Sequence, residues 1–174
     1  FNKKKGHILV SSIEHDCVLN AAKWLSKNGF EVDFLPVDKN GIVSPKEVEK
    51  RIKKNTILVS VMHVNNEIGT IQPIEAIGKI CKKNNIYFHS DAAQSFGKIP
   101  IDISNVDLLT ISSQKIYGPK GAAALFIKNG VKIEPLLHGG GQEKGLRSST
   151  ENVPAIVGFA KAAEIAISTM EKEK

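Results

Sequence analysis

Short apolar runs alternate with amphipathic stretches along the whole chain, and the two periods predict different elements. His7 to Ser11 (HILVS) reads as a strand, and Cys17 to Lys27 as a helix with Val18, Ala21, Ala22 and Leu25 on one face. Val32 to Val37 is a second strand. Ser44, Pro45 and Glu47 then have the order of an N-cap, a first helical residue and a capping-box partner. Thr56 to Val64 (TILVSVMHV) is apolar on both faces, as a strand in the middle of a parallel sheet is. Pro73 opens a helix with Ile74, Ile77, Ile80 and Cys81 at helical spacing. Ile86–Ser90, Leu108–Ser112 and Ala122–Ile127 are further strands, and a long alanine-rich helix runs from about Asn152. Only Lys120-Gly121 lies just before the last strand, too little for a crossover helix, so that strand is expected to be antiparallel to its neighbour. The order predicts an α/β fold: a mostly parallel sheet flanked by helices.

In such sheets ligands gather beyond the carboxyl ends of the strands, and the polar oddities of this chain fall there. Glu14-His15 follows the first strand, Asn65-Asn66-Glu67 the third, Asp91 and Gln94 the fourth, and Ser112-Ser113-Gln114-Lys115 the fifth. Lys115 stands out, because an ammonium at the inner end of a buried strand is costly unless it is paired or reacts.

Composition narrows the reading. With 41% hydrophobic residues the 174-residue chain can bury a sizeable core, and no apolar run approaches the ~18 residues of a membrane span. The basic N-terminus is followed by too short an apolar stretch for a signal peptide, and the start at Phe1 predicts a piece of a longer protein. The formal charge of +6 comes from scattered lysines with few aromatics between them, which reads as a solvated surface rather than a nucleic-acid face. Cys17 and Cys81 form no CxxC pair and the histidines show no ligand spacing, so a reducing cytoplasm is expected and a protein metal site is not.

The strand-end residues together suit one kind of chemistry. A lysine can form a Schiff base with an aldehyde cofactor, of which pyridoxal phosphate is the commonest. Asp91 can hold a proton on the ring nitrogen, Asn66 and Gln94 can donate to the phenolic oxygen, His15 can stack on the ring and move protons, and Ser112 and Gln114 can bond the phosphate. Taken singly, each has an ordinary structural reading: Asp91 as a turn former, His15 as a helix start, Asn65-Asn66 as a turn. Their joint placement along one sheet edge favours a site.

HVNNEIGTIQP, HSDAAQSFGKIPID, KIYGPKGAAAL and HGGGQEKGLRSSTENVPAIVG resemble, in order and spacing, the central segments of the class I (NifS/IscS-like) cysteine desulfurases. These are fold-type I, aspartate-aminotransferase-like pyridoxal phosphate enzymes. The resemblance implies that residues 1–150 are part of the large cofactor-binding domain, and that 151–174 form a helix leading toward a small C-terminal domain absent here. It implies a Schiff base on Lys115, a ring-nitrogen partner in Asp91, and a stacked His15. Asn66 and Gln94 fall on the phenolic oxygen, Ser112 and Gln114 on the phosphate, and Thr150 on the phosphate of a neighbouring subunit, hence a homodimer. The implied activity converts L-cysteine to L-alanine and an enzyme persulfide, which is passed to an iron–sulfur scaffold or another sulfur acceptor.

Three features depart from the family pattern. Gln114 stands where histidine usually precedes the lysine, and Ser149 replaces a glycine in RSST. The persulfide-forming cysteine is expected beyond Lys174, since Cys17 and Cys81 both read as small residues on buried helix faces. A selenocysteine lyase would share nearly all of these residues. A non-catalytic scaffold subunit would need neither Lys115 nor Asp91. His63 and His89 read as structural, and Arg147 as the donor of a planar contact.

Overall fold

The computed structural model describes residues 5–172. The first four residues, part of the basic segment weighed as a leader, and residues 173 and 174 of the expected last helix lie outside that range. Six strands form one sheet: β1 (His7–Ser11), β2 (Glu31–Leu35), β3 (Thr56–Ser60), β4 (Tyr87–Asp91), β5 (Leu108–Ser112) and β6 (Ala123–Ile127). Their order is β2-β1-β3-β4-β5-β6. The first five run parallel and β6 is antiparallel to β5, as its short connection predicts.

Among the described residues there are four α-helices: α1 (Asp16–Lys27), α2 (Pro45–Arg51), α3 (Ile74–Lys83) and α4 (Val153–Thr169). On one face of the sheet Leu9, Val59, Phe88 and Leu109 pack with Val48 of α2 and Ile74, Ile77 and Cys81 of α3. On the other face Ile8 and Val10 pack against Ala22, with Val18 and Leu25 of α1 beside them. α4 lies against a single 3₁₀ turn, Ser113–Ile116, that directly follows β5.

Four local expectations are corrected. β3 stops at Ser60 instead of reaching Val64. Beyond Ser60 the chain still bonds β4, through Val61 N to His89 O (3.1 Å) and His63 N to Asp91 O (2.8 Å). On its other side β1 has ended, and Met62 N donates instead to the Glu14 carboxyl (2.6 Å). β2 likewise ends at Leu35, and Val37 forms an isolated bridge to Val43. Ser44 is the N-cap of α2 but makes no side-chain cap bond; Glu47 instead accepts from Arg51 Nε at 3.2 Å. Cys17 is exposed rather than buried. It shares an i, i+4 stripe with exposed Ala21, while the stripe through Val18, Ala22 and Leu25 faces the sheet.

Candidate functional site

Because β1, β3, β4 and β5 are parallel neighbours, the segments that follow them emerge at one edge of the sheet. Each strand end is shaped by its own local chemistry.

After β1 the chain turns sharply into α1 with His15 as N-cap (φ −60°, ψ 149°). The Cys17 amide donates to His15 Nδ1 at 3.2 Å, and the Cys17 sulfur lies 3.0 Å from the same nitrogen. An imidazole whose Nδ1 accepts an N–H carries its proton, when neutral, on Nε2. Although the residue is exposed, partial desolvation of its sulfur and the Asp91 charge push the Cys17 thiol up, so the thiolate is disfavoured.

Glu14, one residue earlier, is only 5% exposed. Its Oε1 accepts from Ser11 Oγ (2.5 Å) and Met62 N (2.6 Å), whereas its Oε2 is buried with no partner. Burial, with a smaller contribution from Asp91, pushes this carboxyl up to about 7. After β3, Asn65 secures the same corner: its Nδ2 donates to Ile13 O at 2.8 Å, and its Oδ1 accepts from Glu67 N and Ile68 N, both at 2.9 Å. Asn66 beside it is exposed and donates to Glu67 Oε1 at 2.7 Å.

Asp91 is the last residue of β4 and is 8% exposed. Its Oδ1 accepts from Ala93 N at 2.8 Å, an Asx-type turn that aims the chain into the next segment. Within β4, His89 is fully committed, with Nδ1 2.8 Å from Ser60 Oγ and Nε2 2.9 Å from Thr110 Oγ1, which makes it a structural residue. His63 is also buried, and burial pushes its imidazole down. Gln94 is half-buried and accepts from Lys98 at 3.4 Å.

Asp91 pairs in register with Thr110, and Ser112 follows two residues later at the end of β5. Ser112 Oγ donates to Gln114 Oε1 at 2.8 Å. The 3₁₀ turn carrying Lys115 is closed by Tyr117 in the left-handed region (φ 63°) and by Gly118 N donating to Ser113 O at 3.0 Å. Ser113 Oγ is fully buried without a partner. Lys115, expected at the inner end of a buried strand, is instead exposed, because the 3₁₀ turn carries it out beyond β5; it makes no hydrogen bond or ion pair among the described residues. It lines a groove of about 580 Å³ between its turn and α4, with Lys98, Tyr117 and Lys161 among the other lining residues.

The fold thus brings the β1, β3 and β4 ends into contact: Glu14 reaches Met62, Asn65 reaches Ile13, and the Asp91 charge is felt at both Glu14 and Cys17. It sets the Lys115 turn one strand over, with the lysine on a groove whose lining includes neither Asp91 nor His15. Thr150 is exposed in the loop before α4, where its carbonyl accepts from Ser149 Oγ at 3.1 Å. Arg147 bonds Ser149 Oγ through Nη1. Sequence reasoning noted Glu14 and Asn65 as polar but assigned them no role; their one signal was adjacency to His15 and Asn66 at strand ends.

The donor set fits pyridoxal phosphate. An amine with no partner among the described residues, a buried carboxylate, an imidazole whose Nδ1 accepts a backbone N–H, and side-chain amides and hydroxyls stand along one edge. Among the described residues no cluster of three or more His, Cys, Asp or Glu could hold a metal, and no helix is long and apolar enough to cross a membrane.

A family model described as aminotransferase class-V matches residues 2–174. A cysteine desulfurase IscS of Clostridium botulinum is 56% identical over 99% of this chain, and the mitochondrial cysteine desulfurase of Saccharomyces cerevisiae 55% over 99%. The chain spans 44% and 35% of those two proteins. Among solved structures, a NifS-like protein superposes with TM-score 0.95 at 48% identity, over 99% of this chain and 48% of that one. A protein described as SspA in complex with cysteine superposes with TM-score 0.90 at 48% identity, over 93% of this chain and 48% of that one.

Proposed function

The chain belongs to the class-V aminotransferase family, and from that premise we propose that it is the cofactor-binding part of a cysteine desulfurase using pyridoxal 5'-phosphate. When bound, that group supplies an aldehyde for an amine and a ring that draws electrons from the substrate carbon. Lys115 is the amine, and its place on the turn that directly follows β5, with no partner among the described residues, is the observation that carries the reading. A surface lysine would cost nothing in that state, but this one stands on a turn that β5, α4 and a left-handed Tyr117 hold in place.

Asp91 keeps the ring nitrogen protonated through a charge-assisted hydrogen bond, helped by its burial. His15 covers the ring face and moves a proton at Nε2, the nitrogen left over once Nδ1 has accepted from Cys17 N. Asn66 and Gln94 donate to the phenolic oxygen, and Ser112 and Gln114 to the phosphate. The substrate is L-cysteine: its carbon–sulfur bond breaks, the sulfur goes to a protein thiolate as a persulfide, and the carbon skeleton leaves as L-alanine. Neither thiol of this chain suits that attack, since burial pushes Cys81 up to about 12 and Cys17 is also raised. The acceptor cysteine therefore belongs to another segment of the protein.

The reading includes a homodimer in which Thr150 reaches the neighbour's phosphate, supported by its exposure on the loop before α4. It also includes delivery of sulfur to an iron–sulfur scaffold in a reducing compartment. That compartment is the cytoplasm, with the organelle of the yeast relative as the alternative. Borohydride reduction after addition of pyridoxal phosphate tests the core of it. The label is expected on the peptide carrying Lys115 and is lost in Lys115→Ala; a label on Lys98 or Lys120 would overturn the assignment.

A further inference from the structure

One firmly held side chain at the sheet edge is not used by the reaction described above. Glu14 is buried, yet one of its oxygens takes two short hydrogen bonds from different parts of the chain. Ser11 Oγ belongs to the last residue of β1, and Met62 N to the stretch leaving β3. Both donors close on Oε1, so the carboxyl ties the β1–α1 loop to the exit of β3. The tie sits one residue before His15 and three before Asn65.

A buried carboxylate with a lone unpartnered oxygen would be costly if charged. One titratable group acts on it, Asp91 at the end of β4, and Glu14 in turn acts on the Cys17 thiol in the first turn of α1. From β1 and the β3 exit it meets Ser11 and Met62, which carry no charge, and the neighbouring His15 imidazole is engaged with Cys17. A second negative charge beside Asp91 would add repulsion to desolvation, and a neutral acid avoids both. The neutral acid still accepts both hydrogen bonds through Oε1.

We propose that Glu14 is a positioning residue for this reaction: as a neutral acid beside Asp91, it clamps the loop that places His15 to the backbone that leads to Asn66. The proposal rests on the pyridoxal phosphate reading for the purpose of the clamp, though not for its existence. In the Glu14→Gln protein Oε1 is kept and the group cannot ionise. In Glu14→Ala the clamp is gone and Met62 N–H loses its acceptor.

Two measurements on the whole protein test this. The first is amide hydrogen exchange over residues 12–17 and at Met62, without cofactor. Exchange should speed up about tenfold or more in Glu14→Ala and stay at the wild-type rate in Glu14→Gln. The second is titration with pyridoxal 5'-phosphate from about pH 6 to pH 8.5. Affinity should fall about tenfold in the Ala variant. The wild type should weaken relative to Gln as pH rises through about 7, where Glu14 takes on charge. Equal exchange in all three proteins, or a Gln variant as loose as Ala, overturns the clamp. A wild-type-to-Gln affinity ratio constant with pH overturns the neutral-acid role, and decides the matter even if Glu14→Ala fails to fold. If the exchange results hold but the wild type takes up no cofactor, the proposed function falls and the clamp stands.

Discussion

Gly118→Ala tests whether the groove behind Lys115 has room to spare. A Cβ built at Gly118 falls well inside contact distance of Ser113 Oγ and 3.1 Å from both Ser113 O and the Ala162 Cβ of α4. Carbon pairs are comfortable at about 3.5–4.0 Å, so α4 or the turn must give by roughly half an ångström or more. Ser113 is fully buried, so its hydroxyl cannot swing to solvent. Overpacking of this kind costs about 1–3 kcal/mol, while the stiffer unfolded chain returns about 0.4–1 kcal/mol. A net loss of about 1–2 kcal/mol lowers Tm by about 2–8 °C in a chain of this size. Misplacing a reacting group by about 1 Å costs on the order of 100-fold, so a shift of half that should slow borohydride trapping of pyridoxal phosphate on Lys115 about tenfold.

Gly121→Ala is the control. Nothing lies within 4 Å of its Cβ, but its φ is +84°, a strain of about 1–2 kcal/mol. It should lower Tm by a similar amount and leave trapping at the wild-type rate. Equal trapping in the two variants would refute the idea that Gly118 sets the lysine through space.

Three further outcomes are expected. Burial raises Glu14 from its ordinary 4.5 to about 7, so the folded state holds a proton that the unfolded state releases. This contribution is fully present below about pH 4.5 and is lost as pH rises through 7, about 3 kcal/mol at 1.36 kcal/mol per pH unit. Urea melts between about pH 5 and pH 8 should show that slope in the wild type and lack it in Glu14→Gln; parallel curves would count against it. Asp91→Asn in the complete enzyme should cut turnover roughly 10- to 150-fold with Tm unchanged, the value of a charged hydrogen bond of about 1.5–3 kcal/mol. Co-expressed Lys115→Ala and Thr150→Ala subunits should regain part of the activity each lacks alone; no recovery would place Thr150 outside the neighbour's site.

Much of this fold could be read along the chain, because the determinants are local. Apolar runs at Ile8–Val10, Val59–Val61 and Leu108–Leu109 mark buried strands wherever they sit. The Val18, Ala22 and Leu25 spacing marks a helix face, and the link from Ser113 to Ala122 is too short for a crossover helix, which makes the last strand antiparallel. The strand-end positions of Lys115 and Asp91 were legible for the same reason: a charged residue at the end of an apolar run is conspicuous in one dimension. What tertiary structure alone decided concerns neighbours far apart in the chain. β3 ends at Ser60 because β1, nearly fifty residues earlier, has run out and Glu14 takes the next amide. Cys17 faces outward because the sheet selects which helical stripe it covers. Glu14 becomes a buried acid beside Asp91, and Gly118 a tight spot against α4, only once β1, β3, β4 and α4 are in place. Burial and desolvation are properties of the assembled surroundings, and no residue carries them in its own position along the chain.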